Sequence, residues 1–236
     1  MSEPAVAVAF FDPARELYGM ARSGASVLFE GQAATVLAEG PTVSAGRRGR
    51  LRAELDGHFS LDLEPLSDKA ELGGVSARVC RTKGEVRGTR VDCLGTVSET
   101  PKPPAWEELD AVRTVSALFE GEDAVLAMAR RPREAPGHGH ELTTGWLVQE
   151  GELASVERVR ISTVYDGDGR QRSGGLELWL PGEDLPRRVS GTAIAGSSLE
   201  LEGVRVHLAI FRWRMEEREG VGAYELMVRV EAPTAA

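Results

Sequence analysis

The residue types best suited to chemistry are concentrated in one stretch, Pro136-Gly137-His138-Gly139-His140-Glu141-Leu142-Thr143-Thr144-Gly145-Trp146-Leu147-Val148, which holds two of the chain's four histidines. Histidine is the side chain whose ordinary pKa lets it give and take protons near neutrality. In an extended segment His138 and His140 point to the same side, a spacing that can hold a metal once a third ligand arrives. That ligand would be His58, His207 or a carboxylate, and no spacing brings one near. The expectation is therefore no metal site. Strand parity instead aligns His140 with Leu142, Thr144, Trp146 and Val148. If that face lines an interior, His140 becomes a polar group in an apolar pocket, placed to hydrogen-bond a ligand or to act as general acid or base. The structural alternative is a histidine at the rim of a core.

Other candidates are thinner. Asp166-Gly167-Asp168-Gly169 begins like a calcium loop, but Arg170 and Arg172 stand where oxygen ligands should follow. No glycine-rich loop has the strand–loop–helix context of a phosphate site, and Ser197-Ser198 lacks a nucleophile-elbow pattern, so no cofactor is expected. His58 is expected to face water. His207 falls on the same face as Glu200 and Arg205, which reads as a surface position. Among the few aromatics, Trp146, Trp179 and Trp213 fall within strands and Tyr165 and Tyr224 at strand ends. Trp146, Tyr165, Trp213 and Tyr224 join His140 as candidate ligand contacts, set against a reading of the aromatics as ordinary core.

These residues must be positioned by strands. From Val156 to Val230 apolar residues alternate with polar ones, as in Leu176/Leu178/Leu180, Val204/Val206/Leu208 and Tyr224/Leu226/Val228. Period-two alternation bounded by turns marks half-buried antiparallel strands. Facing can be checked against turn length, because a one-residue slip moves a whole apolar set to the other side. A three-residue Asp56-Gly57-His58 loop pairs Leu55 with Phe59 and Ala53 with Leu61. It also sets Arg52 against Asp62 and Arg50 against Glu64, giving the run Arg47-Arg48-Gly49-Arg50-Leu51-Arg52 a structural job. A Glu202-Gly203 turn pairs Leu201 with Val204, Glu200 with Arg205 and Ser198 with His207. A tight turn at Gly167-Asp168 pairs Val159 with Leu176 and Ile161 with Gly174. From Val204 to Ile210 the even positions are apolar, and Phe211, Trp213 and Met215 then carry the apolar face at odd ones. This switch predicts a bulge or a corner, and Trp213 is expected to oppose Leu226.

The fold class is all-β: an antiparallel meander barrel or sandwich, with at most one or two short helices. The three prolines between Ser98 and Leu109 read as a connection, with a helical turn or two from Trp106 to Val112. The expected organisation is a β unit over 1–98, a proline-rich connection over 99–110 and a second β unit over 111–236.

Hydrophobic content of 42% with 28% charged residues is ordinary for a soluble protein, and the net charge of −9 argues against a nucleic-acid partner. No apolar run is long enough to span a bilayer, and Met1-Ser2-Glu3-Pro4 lacks the basic start of a signal peptide. With only two cysteines, Cys80 and Cys93, a cytoplasmic setting with reduced thiols is expected.

Three segments carry a family resemblance: Phe11-Asp12-Pro13-Ala14-Arg15-Glu16-Leu17-Tyr18-Gly19, Phe59-Ser60-Leu61-Asp62-Leu63-Glu64-Pro65-Leu66, and the glycine/histidine stretch from Gly137 to Trp146. Together they resemble the AttH-like, hydroxyneurosporene-synthase-like branch of the calycin superfamily. The resemblance implies two lipocalin-like β units around apolar cavities. It also implies hydration, cyclisation or isomerisation of isoprenoids or polyketides, with His140 and Trp146 as the residues carried over. Function then divides three ways: binding of an apolar, isoprenoid- or lipid-like molecule in a β cavity; an acid–base enzyme using His140 and Glu141 with Tyr165; or a β-sandwich interaction domain.

Overall fold

The structure is a computed structural model, and it describes residues 4–46 and 49–230. Arg47 and Arg48 of the arginine run, and the side chain of His138, lie outside the described residues. The chain builds two antiparallel sheets. The first contains β1 (Ala5–Asp12), β2 (Leu17–Arg22), β3 (Ala25–Glu30), β4 (Ala33–Leu37), β5 (Thr42–Ala45), β6 (Leu51–Leu55), β7 (Phe59–Pro65), β8 (Ala70–Leu72), β9 (Val75–Val86) and β10 (Thr89–Thr100). The second contains β11 (Leu109–Phe119), β12 (Ala124–Pro132), β13 (Leu142–Gln149), β14 (Glu152–Ser155), β15 (Arg158–Tyr165), β16 (Gln171–Trp179), β17 (Arg187–Leu201), β18 (Val204–Met215) and β19 (Arg218–Arg229).

The strand order is β4-β3-β2-β1-β10-β9-β7-β6-β5 in the first sheet, with β8 on β9, and β14-β13-β12-β11-β19-β18-β17-β16-β15 in the second. Apart from β8 the two orders are the same, so one topology is used twice. In each, a four-strand meander leads away from the first strand and the last strand returns to pair with that first strand. Each sheet curls into a half-barrel. In the second, β15 comes back against β13, where the Thr143 hydroxyl donates to the Val159 carbonyl at 2.9 Å and the Val156 amide donates to Gly145 at 3.2 Å. A β-carbon on Gly145 would lie 2.5 Å from a Val159 methyl, so only glycine permits this approach.

Three apolar cores result, because the strands nearest the contact between sheets are buried on both faces. Val8 and Phe10 point into the first half-barrel with Leu61 and Leu63. Ala9 and Phe11 instead join Val112, Leu126, Val206 and Ile210 between the sheets. Val115, Leu147, Leu176, Phe211, Trp213 and Met215 fill the second half-barrel. Across the sheet contact, Arg22 pairs with Glu225 and the Trp146 indole donates to the Glu71 carbonyl at 2.9 Å.

Those cores explain the face switch in β18. The strand pairs with β19 without interruption from Val204 to Met215, and it is central in its sheet. Its even residues face the core between sheets at one end, and its odd residues face the half-barrel interior at the other. The expected bulge is present, but across the ladder in β17, where the register shifts between Ala193 and Ala195.

The hairpin registers at Asp56-Gly57-His58 and Glu202-Gly203 are as expected, including Leu55 against Phe59 and Leu201 against Val204. Arg50 reaches Glu64 at 2.9 Å and Arg52 reaches Asp62 at 3.3 Å. The hairpin at Gly167-Asp168 is corrected: Val159 opposes Leu178 and Ile161 opposes Leu176. The Asp166 carboxylate accepts the amides of Asp168 at 2.9 Å and Arg170 at 2.8 Å, which stabilises a five-residue loop over a two-residue turn. Three further corrections follow from pairing. Trp213 opposes Gly220, not Leu226. Tyr224 lies mid-strand, flanked by Val115 and Ala209. Residues 106–108 form turns and Leu109 already starts β11, because both edges of β11 are taken up by β12 and β19.

Candidate functional site

One end of the second half-barrel is polar, although the rest of its interior is not. Along β11, Val115, Ala117 and Phe119 fill the apolar end, and Arg113 follows on the same face at the other. Alternation alone places it inward. The guanidinium crosses the interior and donates through Nη1 to Tyr224 Oη at 3.2 Å, to Thr163 Oγ1 at 3.1 Å and to the Ile161 carbonyl at 3.3 Å. Its Nη2 donates to Glu141, and the two side chains are 2% and 1% exposed. Tyr224 and Thr163 share a further hydrogen bond. Three side chains, from β15, β19 and the segment before β13, thus meet around one buried cation from β11.

The electrostatics follow from this enclosure. Burial alone would lower the Arg113 pKa, but Tyr224, Glu141 and their hydrogen bonds outweigh it and hold the guanidinium above its ordinary range. Burial raises the Tyr224 hydroxyl, opposed by the Arg113 charge and the Thr163 hydrogen bond. The result is a phenol that keeps its proton beside a permanent cation.

Beneath this network lies an aromatic floor. Phe211 stacks on Trp213 with centroids 4.7 Å apart, and Tyr224 tilts against Phe211 at 5.5 Å. Trp213 fits because its neighbour is Gly191, where a β-carbon would sit 2.3 Å from the indole ring. Gln171 caps the same end, donating to the carbonyls of His207 at 3.2 Å and Tyr224 at 3.1 Å. Three buried polar atoms of this interior have no protein partner: Arg113 Nε, Trp213 Nε1 and Gln171 Oε1. Such atoms are uncommon, and each costs on the order of 1–3 kcal/mol unless something satisfies it. The first unit also holds buried polar atoms without a protein partner, Thr82 Oγ1 and His58 Nδ1. Its inward groups include Cys80 and Cys93, whose thiols burial pushes up to about 12. An open cleft of about 610 Å³ on that unit is lined by Arg15, Glu30 and Arg87, whose charges are already paired.

No protein-family model matches this sequence, and no curated protein is similar enough to count as a relative. Solved structures do match. An AttH-like protein of Nitrosomonas europaea superposes with a TM-score of 0.63 at 12% identity, covering 97% of this chain and 92% of that one. Kievitone hydratase of Nectria haematococca gives 0.57 at 12% identity, covering 97% and 89%.

The chain shares the fold of these two proteins.

Within this fold the sequence candidates fall in different places. Tyr224 and Trp213 come together on the interior face of the second unit, linked through Phe211. Tyr165 ends β15 next to the polar end, close enough to act on Tyr224 electrostatically. Trp146 does not join them: it packs into the core between the sheets. His140 is exposed on a 3₁₀ turn, His138–His140, so it shares no strand face with Trp146, and β13 begins only at Leu142. The turn forms where two glycines and a proline precede the strand, and His140's amide bonds back to Gly137 at 3.2 Å. The turn also sends consecutive residues apart, with His140 outward and Glu141 inward to Arg113. His207 is buried at 7% exposure and not on the surface, because the 166–170 loop and Gln171 cover that end of β18. His58 is half-buried, with Nδ1 enclosed.

Arg113 and Thr163 were missed by the sequence reading. The available signal was a charged residue in the middle of Ala111-Val112-Arg113-Thr114-Val115, a strand buried on both faces. An arginine there must find partners inside.

Proposed function

We propose that this chain binds an apolar small molecule, isoprenoid- or lipid-like and carrying an oxygen function, inside its second β unit. The observation that supports this is the set of buried polar atoms without protein partners, Arg113 Nε, Trp213 Nε1 and Gln171 Oε1, in an otherwise apolar half-barrel with an aromatic floor. Two donors and an acceptor at one interior suit a hydroxyl or carbonyl on an apolar body. On this proposal residues 1–98 support the unit formed by 111–236, with 99–110 as the connection, and the protein works in the cytoplasm.

A second reading, acid–base catalysis such as hydration or isomerisation, has its own support. Glu141 and Tyr224 both bond to the Arg113 guanidinium, giving a carboxylate and a protonated phenol in one enclosed site. One protein of the same fold is a hydratase by name. Glu141 would then take the base role and Tyr224 the acid role, with His140, next to Glu141 in the chain, exposed to solvent.

Native mass spectrometry of protein from its own host, with a retinol titration followed by tryptophan quenching, tests the binding proposal. Retained or titrated ligand at one equivalent is expected, and Trp213→Phe, which removes the unpartnered Nε1, should weaken retinol binding about fivefold, the value of one hydrogen bond. A clean unliganded mass together with no saturable quenching overturns it.

A further inference from the structure

Ser198 on β17 and His207 on β18 are direct cross-strand partners, and Ser198 Oγ lies 2.8 Å from His207 Nδ1. Three features hold this pair. The Glu202-Gly203 turn, with φ of 48° and 80°, fixes the register only four residues from each partner. Gln171 bonds to the His207 carbonyl. The imidazole is buried, whereas Ser198 is exposed. Gly196, two residues before Ser198 and on the same face, adds no side chain to block the approach. We infer that Ser198 and His207 form a nucleophile–base pair that accepts the acyl group of a carboxylic ester.

The chemistry is that of an activated hydroxyl. Burial, then the charges of Arg205 and Arg170, lower the imidazole pKa, opposed by Asp166, which favours the neutral ring. In the tautomer with its proton on Nε2, the neutral imidazole accepts from Ser198 at Nδ1 and can take that proton. Ser198 Oγ attacks the ester carbonyl carbon as its proton passes to Nδ1. The C–O bond to the alcohol then breaks, and the alcohol leaves with that proton. Water, deprotonated by the same nitrogen, releases the acid and restores the serine.

This pair shares Gln171 with the interior ligand site, but its test reads covalent labelling and does not depend on ligand binding there. A fluorophosphonate probe reacts by displacement of fluoride at phosphorus by an activated serine, and the labelled residue is read by peptide mass spectrometry. Folded protein should take one label at Ser198, and Ser198→Ala, a change at an exposed position, should abolish it. His207→Gln should slow labelling by roughly 100-fold, the usual worth of a general base. Its thermal melt shows whether the fold is kept, and if it is not, the Ser198→Ala comparison alone decides. Absence of labelling above that of unfolded protein, or labelling unchanged in Ser198→Ala, overturns the inference. Equal labelling rates in a folded His207→Gln variant also overturn it.

Discussion

Replacing Arg113 by methionine tests whether the buried network is held by its cation. The guanidinium is 2% exposed and serves Glu141, Tyr224, Thr163 and the Ile161 carbonyl at once. Methionine fills a similar volume but donates to none of them, and it leaves the Glu141 carboxylate, 1% exposed, without its counter-charge. Breaking a buried pair from one side costs about 3–5 kcal/mol. At roughly 2–4 °C per kcal/mol for a domain of this size, the melting temperature should fall by about 6–20 °C. Glu141→Gln alone leaves the buried guanidinium without its counter-charge, but at a lower cost, because Tyr224, Thr163 and the Ile161 carbonyl still accept from it. The double variant removes both charges together, so its cost should be well below the sum of the two single costs, with a coupling of at least about 2 kcal/mol. Urea unfolding at pH 7 followed by far-ultraviolet circular dichroism measures all four corners of the cycle. A single-variant cost below about 1 kcal/mol, the range of exposed pairs, would refute the reasoning, as would strictly additive costs.

Two further outcomes follow from burial. The His207 imidazole is held below its ordinary pKa by burial first, then by Arg205 and Arg170, with Asp166 opposing. A depressed folded-state pKa means that the unfolded chain binds the proton more readily. The associated stability is therefore present above about pH 6.5 and is lost as pH falls through the folded value. Urea midpoints at pH 5 and pH 7.5 should accordingly differ more in the parent than in His207→Gln, and equal differences would contradict the assignment. The Cys80 and Cys93 thiols, both buried and raised to about 12, should be inert to Ellman's reagent at pH 8 in the folded protein. Two equivalents should react once guanidinium is added, and prompt reaction of either thiol in the folded state would show that the first half-barrel is more open than described.

Much of this fold is readable locally because antiparallel strands carry their facing in a two-residue period and their register in their turns. Leu51-Arg52-Ala53-Glu54-Leu55 and Phe59 to Glu64 specify each other's partners, as do Leu199 to Leu201 and Val204 to Val206. Those facts needed no third strand. The sequence also showed the change of apolar face within β18 and assigned it to a bulge or corner, though the reason is that the strand faces two different cores.

What only tertiary structure decided was which faces are covered and by what. His207 has the parity of Arg205, yet one is buried and the other exposed, because the loop closing β15 and β16 folds over only part of β18. Trp146 and Trp213 both read as inward aromatics but enter different cores, since the strands at the sheet contact have two inner faces. His140 drew attention as the residue with proton chemistry, while its neighbour Glu141 is the one turned inside by a single 3₁₀ turn. Its partners lie 28 residues away at Arg113 and, through that arginine, at Tyr224. Periodicity determines a side chain's direction from its immediate neighbours. Whether that direction ends in water, a core or a polar site depends on segments brought there by the curl of the sheet, and no local pattern encodes them.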